Sequence, residues 1–412
     1  MTLPLSHVTV LDLSRILAGP WCSQLLADLG ATVIKIEHPL RGDDTRSWGP
    51  PFLKDSAGNE TGEAAYYLGV NRNKQSLALD FTQPEGQAIL LELVVGADVM
   101  IENYKVGGLK KYGLDYASVR QVNPGIVYCS ITGFGQDGPY ASSAGYDFMI
   151  QGMGGLMSIT GERDDLPGGG PQKVGVAVAD IMTGLYSTVG IQAALMHRER
   201  TGVGQHIDMA LLDTQVATIA NLNMNYLISG KVPGRMGNAH ANIVPYQAFP
   251  SADGHVILAV GNDGQFEKFC QIAGRPELAQ DPRFMKNSDR VRNRDILVPI
   301  VTELIKVRTT REWTAACDAA QVPCGPINTL DQVFANPQVV HRQLRIDLPH
   351  PLSGTVPQVR NPIKFSETPM EYRSAPPLLG QHTVSVLAGR LGYDADRIAD
   401  LAARRIIAIT NE

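Results

Sequence analysis

The feature that most narrows the folds open to this chain is the alternation at its start. His7 to Leu13, HVTVLDL, is a short β-branched, apolar run. Gly19-Pro20 then opens WCSQLLADLG, whose apolar spacing is helical and whose Gly30 suits a C-terminal cap. ATVIKIEHP reads as a second strand. Strand, helix and strand within about forty residues make a βαβ unit, the repeating piece of a parallel sheet with crossover helices.

The alternation continues. EGQAILLELVVGA (Glu85 to Ala97) is helix-like, VMIEN strand-like, DYASVRQVN helix-like, and GIVYCSIT a strand ending at Thr132. This predicts an α/β fold with a doubly wound, Rossmann-like large domain whose ligand crevices lie at the carboxyl ends of its strands. Two long irregular pieces, Pro39 to Ala64 and Gly161 to Gln172, interrupt it and read as lids or partner-wrapping arms. With 412 residues, one core is not the expectation. We therefore expect a large domain over 1–229, a smaller α/β domain over 230–327 built around HVILAV and FEKFCQIAG, and a C-terminal segment over 328–412 with no periodicity of its own.

A net charge of -5 argues against a nucleic-acid surface, and no apolar run approaches a membrane span. Cys22, Cys129, Cys270, Cys317 and Cys324 are an odd set without CxxC spacing, which fits neither a disulfide framework nor a structural zinc site. The start lacks the pattern of a signal peptide. The cytoplasm is the expected compartment, a mature organellar form the alternative. No HExxH, GxSxG or phosphate-binding loop is present, the nine histidines lack metal-ligand spacing, and no metal is expected.

GFGQDG, Gly133 to Gly138, formally matches the dinucleotide fingerprint GxGxxG after a predicted strand. That fingerprint needs a helix to begin there, whereas Pro139, Tyr140 and a small polar run follow. A sharp turn with amides near an acyl group is the better functional reading, a plain turn the simpler one. In KVGVAVADIMTG, Lys173 to Gly184, the lone carboxylate of Asp180 stands between an apolar run and a helix. Taken alone it would be a helix cap. Its apolar surroundings also suit a carboxylate delivered to an interface, where it could attack a thioester carbonyl.

The order GFGQDGP, AGYD (Ala144 to Asp147), KVGVAVADIMTG and then the helical IMTGLYSTVGIQAALMHRERTGVGQ resembles the class III CoA-transferases, a family that includes the α-methylacyl-CoA racemases. The resemblance implies coenzyme A as co-substrate, an acyl-CoA donor, a carboxylic acid acceptor and an interlocked homodimer in which the C-terminal segment returns to the large domain. Asp180 matches the family's nucleophile. Gly261 and Gly264 in AVGNDGQF match a glycine loop that shields the intermediates from water. CoA contacts fall on Ile16, Ala18 and His38, on Arg72 and Lys74 in NRNKQS, and on Asn103, Tyr104 and Lys111 in ENYKVGGLKKYG. Where the family often has arginine, this chain has His38.

Racemases of this family carry histidine inside the AG-H-D pattern, and Tyr146 stands there instead. Histidine exchanges protons near neutrality and an unperturbed tyrosine does not, so Tyr146 favours transfer, its hydroxyl orienting the acyl group. Leu17, where the oxalate branch has glutamine, argues against oxalate. RMGNAHANIVPYQAF, VGNDGQF and DPRF resemble the branch that moves CoA from succinyl-CoA to dicarboxylates such as glutarate, 3-hydroxymethylglutarate, mesaconate or itaconate. A distal carboxylate needs a cation, for which Arg46 and Arg235 are candidates, and His240 in GNAHAN is a further pocket candidate. A racemase or isomerase, and a non-catalytic acyl-CoA-binding protein, are the alternatives.

Overall fold

The computed structural model describes residues 2–410. Six strands form one parallel sheet: β1 (Thr9–Asp12), β2 (Thr32–Glu37), β3 (Lys74–Ala78), β4 (Val99–Glu102), β5 (Val127–Thr132) and β6 (His206–Ala210). Their order is β3-β2-β1-β4-β5-β6, and every pairing is parallel. The chain winds outward from β1 in one direction and from β4 in the other, which opens a crevice at their carboxyl ends. The expected doubly wound α/β fold is the one observed.

The crossovers include α1 (Ala18–Asp28), α2 (Pro84–Val95), α3 (Tyr116–Val122) and, before β6, α4 (Asp147–Met153) and α5 (Val178–Thr201). Strands buried on both faces need near-continuous apolar sequence, and Leu11, Ile34, Leu77, Met100 and Tyr128 supply it on one side. Val10, Val33, Ile101 and Cys129 supply it on the other, against α1 and α5. Each such side chain contributes about 1.5–3 kcal/mol on burial. Gly184 lets α1 and α5 approach, since a Cβ there would come 2.7 Å from the carbonyl oxygen of Ala18. The sequence reading passed over β6. HIDMA carries two polar residues on its exposed side because β6 is an edge strand with only part of its surface covered.

Contacts divide the chain into two compact units: Met1–Leu156, Val174–Met224 and Gln338–Glu412 form the larger, and Met157–Lys173 with Asn225–Pro337 the smaller. Residues 157–173 group with the smaller unit, where the sequence reading had placed them inside 1–229. Within the larger unit, α6 (Thr383–Leu391) and α7 (Ala395–Ala403) bring Val386, Leu387, Ile398 and Leu401 into the core around Leu77. Leu79 and Ile407 form an antiparallel bridge just past β3. This covers an edge that would otherwise offer unpaired backbone groups.

The smaller unit has an antiparallel sheet in which β8 (Gly254–Ala259) lies between β7 (Tyr246–Ser251) and β9 (Cys324–Pro326). Phe249, Phe266, Phe269, Phe284 and Trp313 are its buried aromatic core.

Candidate active site

The loops that leave β1, β2 and β4 are stitched together at the switch point. Asn103 accepts from the Arg15 amide at 2.9 Å and donates to the Arg15 carbonyl at 2.7 Å. Ile16 sits at φ 75°, an unusual conformation for a β-branched residue, and its amide donates to the Asp43 carboxylate at 3.2 Å. Asp43 is in turn ion-paired with Lys35 at 2.8 Å, both side chains fully buried. Burial alone would raise the Asp43 carboxyl, but Lys35 and the Thr45 hydrogen bonds override it and bring it down to about 2.

These loops frame a cavity of about 860 Å³ in the larger unit. Ile16, Leu17, Ala18, His38, Asn103, Tyr104, Lys111, Tyr146 and Asp180 all line it. Arg41 and Lys105 line it too, although the sequence reading missed them. A turn in HPLRGD, with the Arg41 and Gly42 amides both donating to the His38 carbonyl, sets Arg41 beside His38. Among the described residues no carboxylate pairs with Arg41, Lys105 or Lys111, whereas Arg15 is held by Asp44 at 2.8 Å. Three exposed cations without a protein counter-ion make a rim suited to phosphate. Asn103 spends its amide on the Arg15 backbone, so it builds the wall more than it reads a ligand.

Asp180 lies in the first turn of α5. It does not cap that helix. Ala177 holds the capping position without a side-chain bond, and Asp147 supplies the acceptor: its Oδ1 takes the Ala179 amide at 2.8 Å and the Asp180 amide at 3.2 Å. Asp147 Oδ2 accepts from Gln151 Nε2 at 2.6 Å, and Gln151 Oε1 accepts from the Val174 amide at 2.9 Å. The reading of Asp180 as a cap is thereby corrected, because a carboxylate distant in sequence fills that role. Burial, and then the charge of Asp147, push the Asp180 carboxyl up to about 7. Tyr66 is a further neighbour, raised to about 12 by burial and by the charges of Asp180, Asp147 and Asp43.

Tyr146 and Asp147 reach this place because GFGQDG and AGYD cross backbone against backbone. A Cβ on Gly133 would meet the Cα of Gly145, and one on Gly145 would meet Gly133. No helix begins at Gly133, in keeping with a false dinucleotide fingerprint. The amides of Gly135 and Gln136 donate to Thr132 and Asp208 at 3.0 and 2.9 Å, so they do not present themselves to an acyl group. Tyr146 is 63% exposed and lines the cavity.

Other expected residues stand elsewhere. Arg72 is buried, bidentate to Asp28 at 3.0 and 2.5 Å, and Lys74 is fully buried against Asp12, Asn71 and the Pro20 carbonyl. Burial brings the Lys74 amine down to about 8 even with Asp12 beside it. Neither lines the cavity, so both are corrected from CoA ligands to internal ion pairs. Arg46 is corrected likewise: it is bidentate to Glu37 at 2.8 and 2.9 Å, pairs with Glu63, and does not line the cavity. In the smaller unit Arg235 pairs with Asp164, while its Nε is a buried donor with no partner among the described residues. His240 packs against Tyr246 at 5.3 Å, and its Nδ1 accepts from the Asn242 amide at 3.0 Å.

Gly261 and Gly264 follow β8, where Asn262 caps α8 (Asp263–Ile272) by accepting from the Gln265 amide at 2.9 Å. The Gly261 amide donates to Gln265 Oε1 at 2.8 Å. Neither glycine has a positive φ, and the segment is an exposed strand-to-helix turn. Among the described residues no cluster of His, Cys, Asp and Glu could hold a metal, and no helix is long and apolar enough to cross a membrane.

The sequence model described as CoA-transferase family III matches residues 5–383. The chain is 55% identical over 386 residues to a succinate–glutarate CoA-transferase of Agrobacterium fabrum, covering 93% of this chain and 95% of that one. It is 43% identical over 404 residues to a succinyl-CoA:glutarate CoA-transferase of Homo sapiens, covering 98% and 90%. Among solved structures, a CaiB/BaiF family protein from Brucella suis aligns with a TM-score of 0.82 at 52% identity, covering 95% of this chain and all of that one.

Proposed function

The chain belongs to CoA-transferase family III, and from that premise we propose that it moves CoA from succinyl-CoA to a free dicarboxylic acid such as glutarate, with Asp180 as the covalent carrier. The observation that carries this reading is the unspent carboxylate of Asp180, part-buried at the cavity wall while Asp147 caps its helix. The names of the Agrobacterium and human relatives support the dicarboxylate class.

The ionised carboxylate of Asp180 attacks the succinyl thioester carbon, the C–S bond breaks, and CoA thiolate leaves. The product is a mixed anhydride. CoA thiolate then attacks the Asp180 carbonyl carbon and expels succinate, giving an aspartyl-CoA thioester. The acceptor carboxylate attacks that same carbon and releases the thiolate, forming a second anhydride. Attack by the thiolate on the acceptor acyl carbon frees Asp180 and the new acyl-CoA. No net proton is consumed, and water is the competitor to exclude.

Arg41, Lys105, Lys111 and His38 suit the phosphates of CoA, and Ile16 and Ala18 its chain. Tyr146, exposed at the wall, orients the acyl group. Gly261 and Gly264 form the shielding loop of the smaller unit. Arg235 stays the candidate for the distal carboxylate, its Nε having no hydrogen-bond partner among the described residues. The active form is an interlocked homodimer; Leu185, Tyr186, Val189 and Met196 on α5 are exposed apolar side chains that a partner would cover. Five unpaired cysteines favour a reducing compartment such as the cytoplasm.

The test is an exchange assay with labelled succinyl-CoA and a panel of free acids. Label should pass into glutaryl-CoA or another dicarboxylyl-CoA. Hydrolysis alone, or racemisation without exchange, would sink the proposal.

A further inference from the structure

We infer that Asp147 is a positioning residue for the reaction: its carboxylate pins the first turn of α5, aims the Asp180 side chain into the cavity, and sets the charge that Asp180 meets there. This rests on Asp180 being the covalent carrier.

The geometry is specific to these two acids. Asp147 opens α4, comes to the start of α5 through the Gly133–Gly145 crossing, and accepts two of that helix's otherwise unpaired amides. Its other oxygen is fixed by Gln151, a fully buried side chain that also binds the Val174 amide. The segment entering α5 and its first turn are therefore clamped to one carboxylate. Asp147 itself does not line the cavity, so it touches no substrate and acts through Asp180.

Charge follows from the same placement. The charge acting on Asp180 is that of Asp147 from α4, and Tyr66 from the segment before β3 is in turn raised by both acids. α1 carries one acid, Asp28, held by Arg72. On β6, Asp208 binds the Gln136 amide, and Asp213 on the helix that follows is exposed. Asp147 is thus the charge that opposes ionisation of Asp180, while the helix amides it accepts favour the anion. Once ionised, a carboxylate of raised pKa is the stronger nucleophile toward the thioester and the poorer leaving group from the anhydride, and near neutrality a smaller fraction of it is ionised.

Two substitutions separate charge from position, read in the pH dependence of kcat/KM for succinyl-CoA. Asp147→Asn keeps an acceptor for the two amides and removes the charge. We expect its midpoint to move to lower pH by about one unit or more, with the high-pH plateau retained within a few fold. Its lost bond to Gln151 lowers Tm without moving that midpoint. Asp147→Glu keeps the charge and displaces the acceptor, so the midpoint should stay near 7 and the plateau should fall about tenfold. If the asparagine variant does not fold, the glutamate variant still reads the positioning role. An unmoved midpoint in the former, or an unchanged plateau in the latter, would overturn the inference. Mapping of the acyl label in wild type keeps the two ideas apart: label on Asp180 with unchanged profiles rejects only the role of Asp147, and label elsewhere rejects the carrier itself.

Discussion

The Asp147 carboxylate accepts the backbone amide of Asp180 at 3.2 Å, so the helix that carries the proposed nucleophile is capped from 33 residues upstream. A residue in the first turn of a helix would ordinarily spend its side chain there. Relieved of that bond, Asp180 faces the cavity, and its acidity is set by burial and by one neighbouring charge.

The first consequence concerns rate against pH. In the proposed mechanism Asp180 attacks only as the anion, and its carboxyl is pushed up to about 7. For succinyl-CoA, kcat/KM should therefore rise with pH through a midpoint near 7 and level off above it, because this ratio reports the free enzyme. A flat profile from pH 5 to 9 would contradict the assignment. Asp180→Asn should lower kcat by about a thousandfold or more.

The same shift has a stability sign. A folded-state value raised from 3.8 means that the folded chain holds its proton more tightly than the unfolded one. The stabilisation is complete below pH 3.8 and is lost as pH rises through about 7. Asp180→Asn carries no such burden, so it should exceed wild type by about 2–4 kcal/mol at pH 8 and match it near pH 4. Denaturant titrations at the two pH values check this.

Cations at the rim and cations in the core should separate in mutants. Arg41→Ala should raise KM for succinyl-CoA about tenfold with little change in Tm, since Arg41 is exposed and has no protein counter-ion among the described residues. Arg72→Ala should leave KM nearly unchanged and cost about 3–5 kcal/mol, because it strands the buried Asp28 carboxylate. Thermal melts and steady-state kinetics on both variants decide the matter.

The glycine crossing should be equally sensitive. Gly145→Ala places a Cβ against the Cα of Gly133, which must shift. We expect a loss of about 1–3 kcal/mol and a fall in kcat, since the neighbouring Tyr146 and Asp147 move with that backbone. A Gly145→Ala protein with wild-type Tm and kcat would show that the crossing does not position them.

Much of this was readable in the chain. Strands such as TVIKIE and VYCSIT are buried on both faces and largely apolar, with the buried Lys35 and Glu37 ion-paired, so length and composition locate the parallel sheet and hence the crevice. β6 escaped because an edge strand needs less apolar sequence. Arg72, Lys74 and Arg46 misled for a physical reason: a cation beside a strand end looks the same whether its counter-charge is a phosphate or a carboxylate folded in from elsewhere, and Asp28, Asp12 and Glu37 are those carboxylates. Arg41 was missed because only the turn after His38 brings it to the rim. Asp147 was seen as part of a motif, but its partnership with Asp180 depends on a backbone crossing that no local pattern encodes.

The central claim is that Asp180 carries the acyl group and then CoA. The most direct measurement is mass spectrometry of peptides after incubation with succinyl-CoA and trapping with hydroxylamine or borohydride. The account predicts donor-dependent modification of the peptide containing Asp180, absent from the Asp180→Asn protein. Modification at another residue, or full activity in that variant, would contradict it.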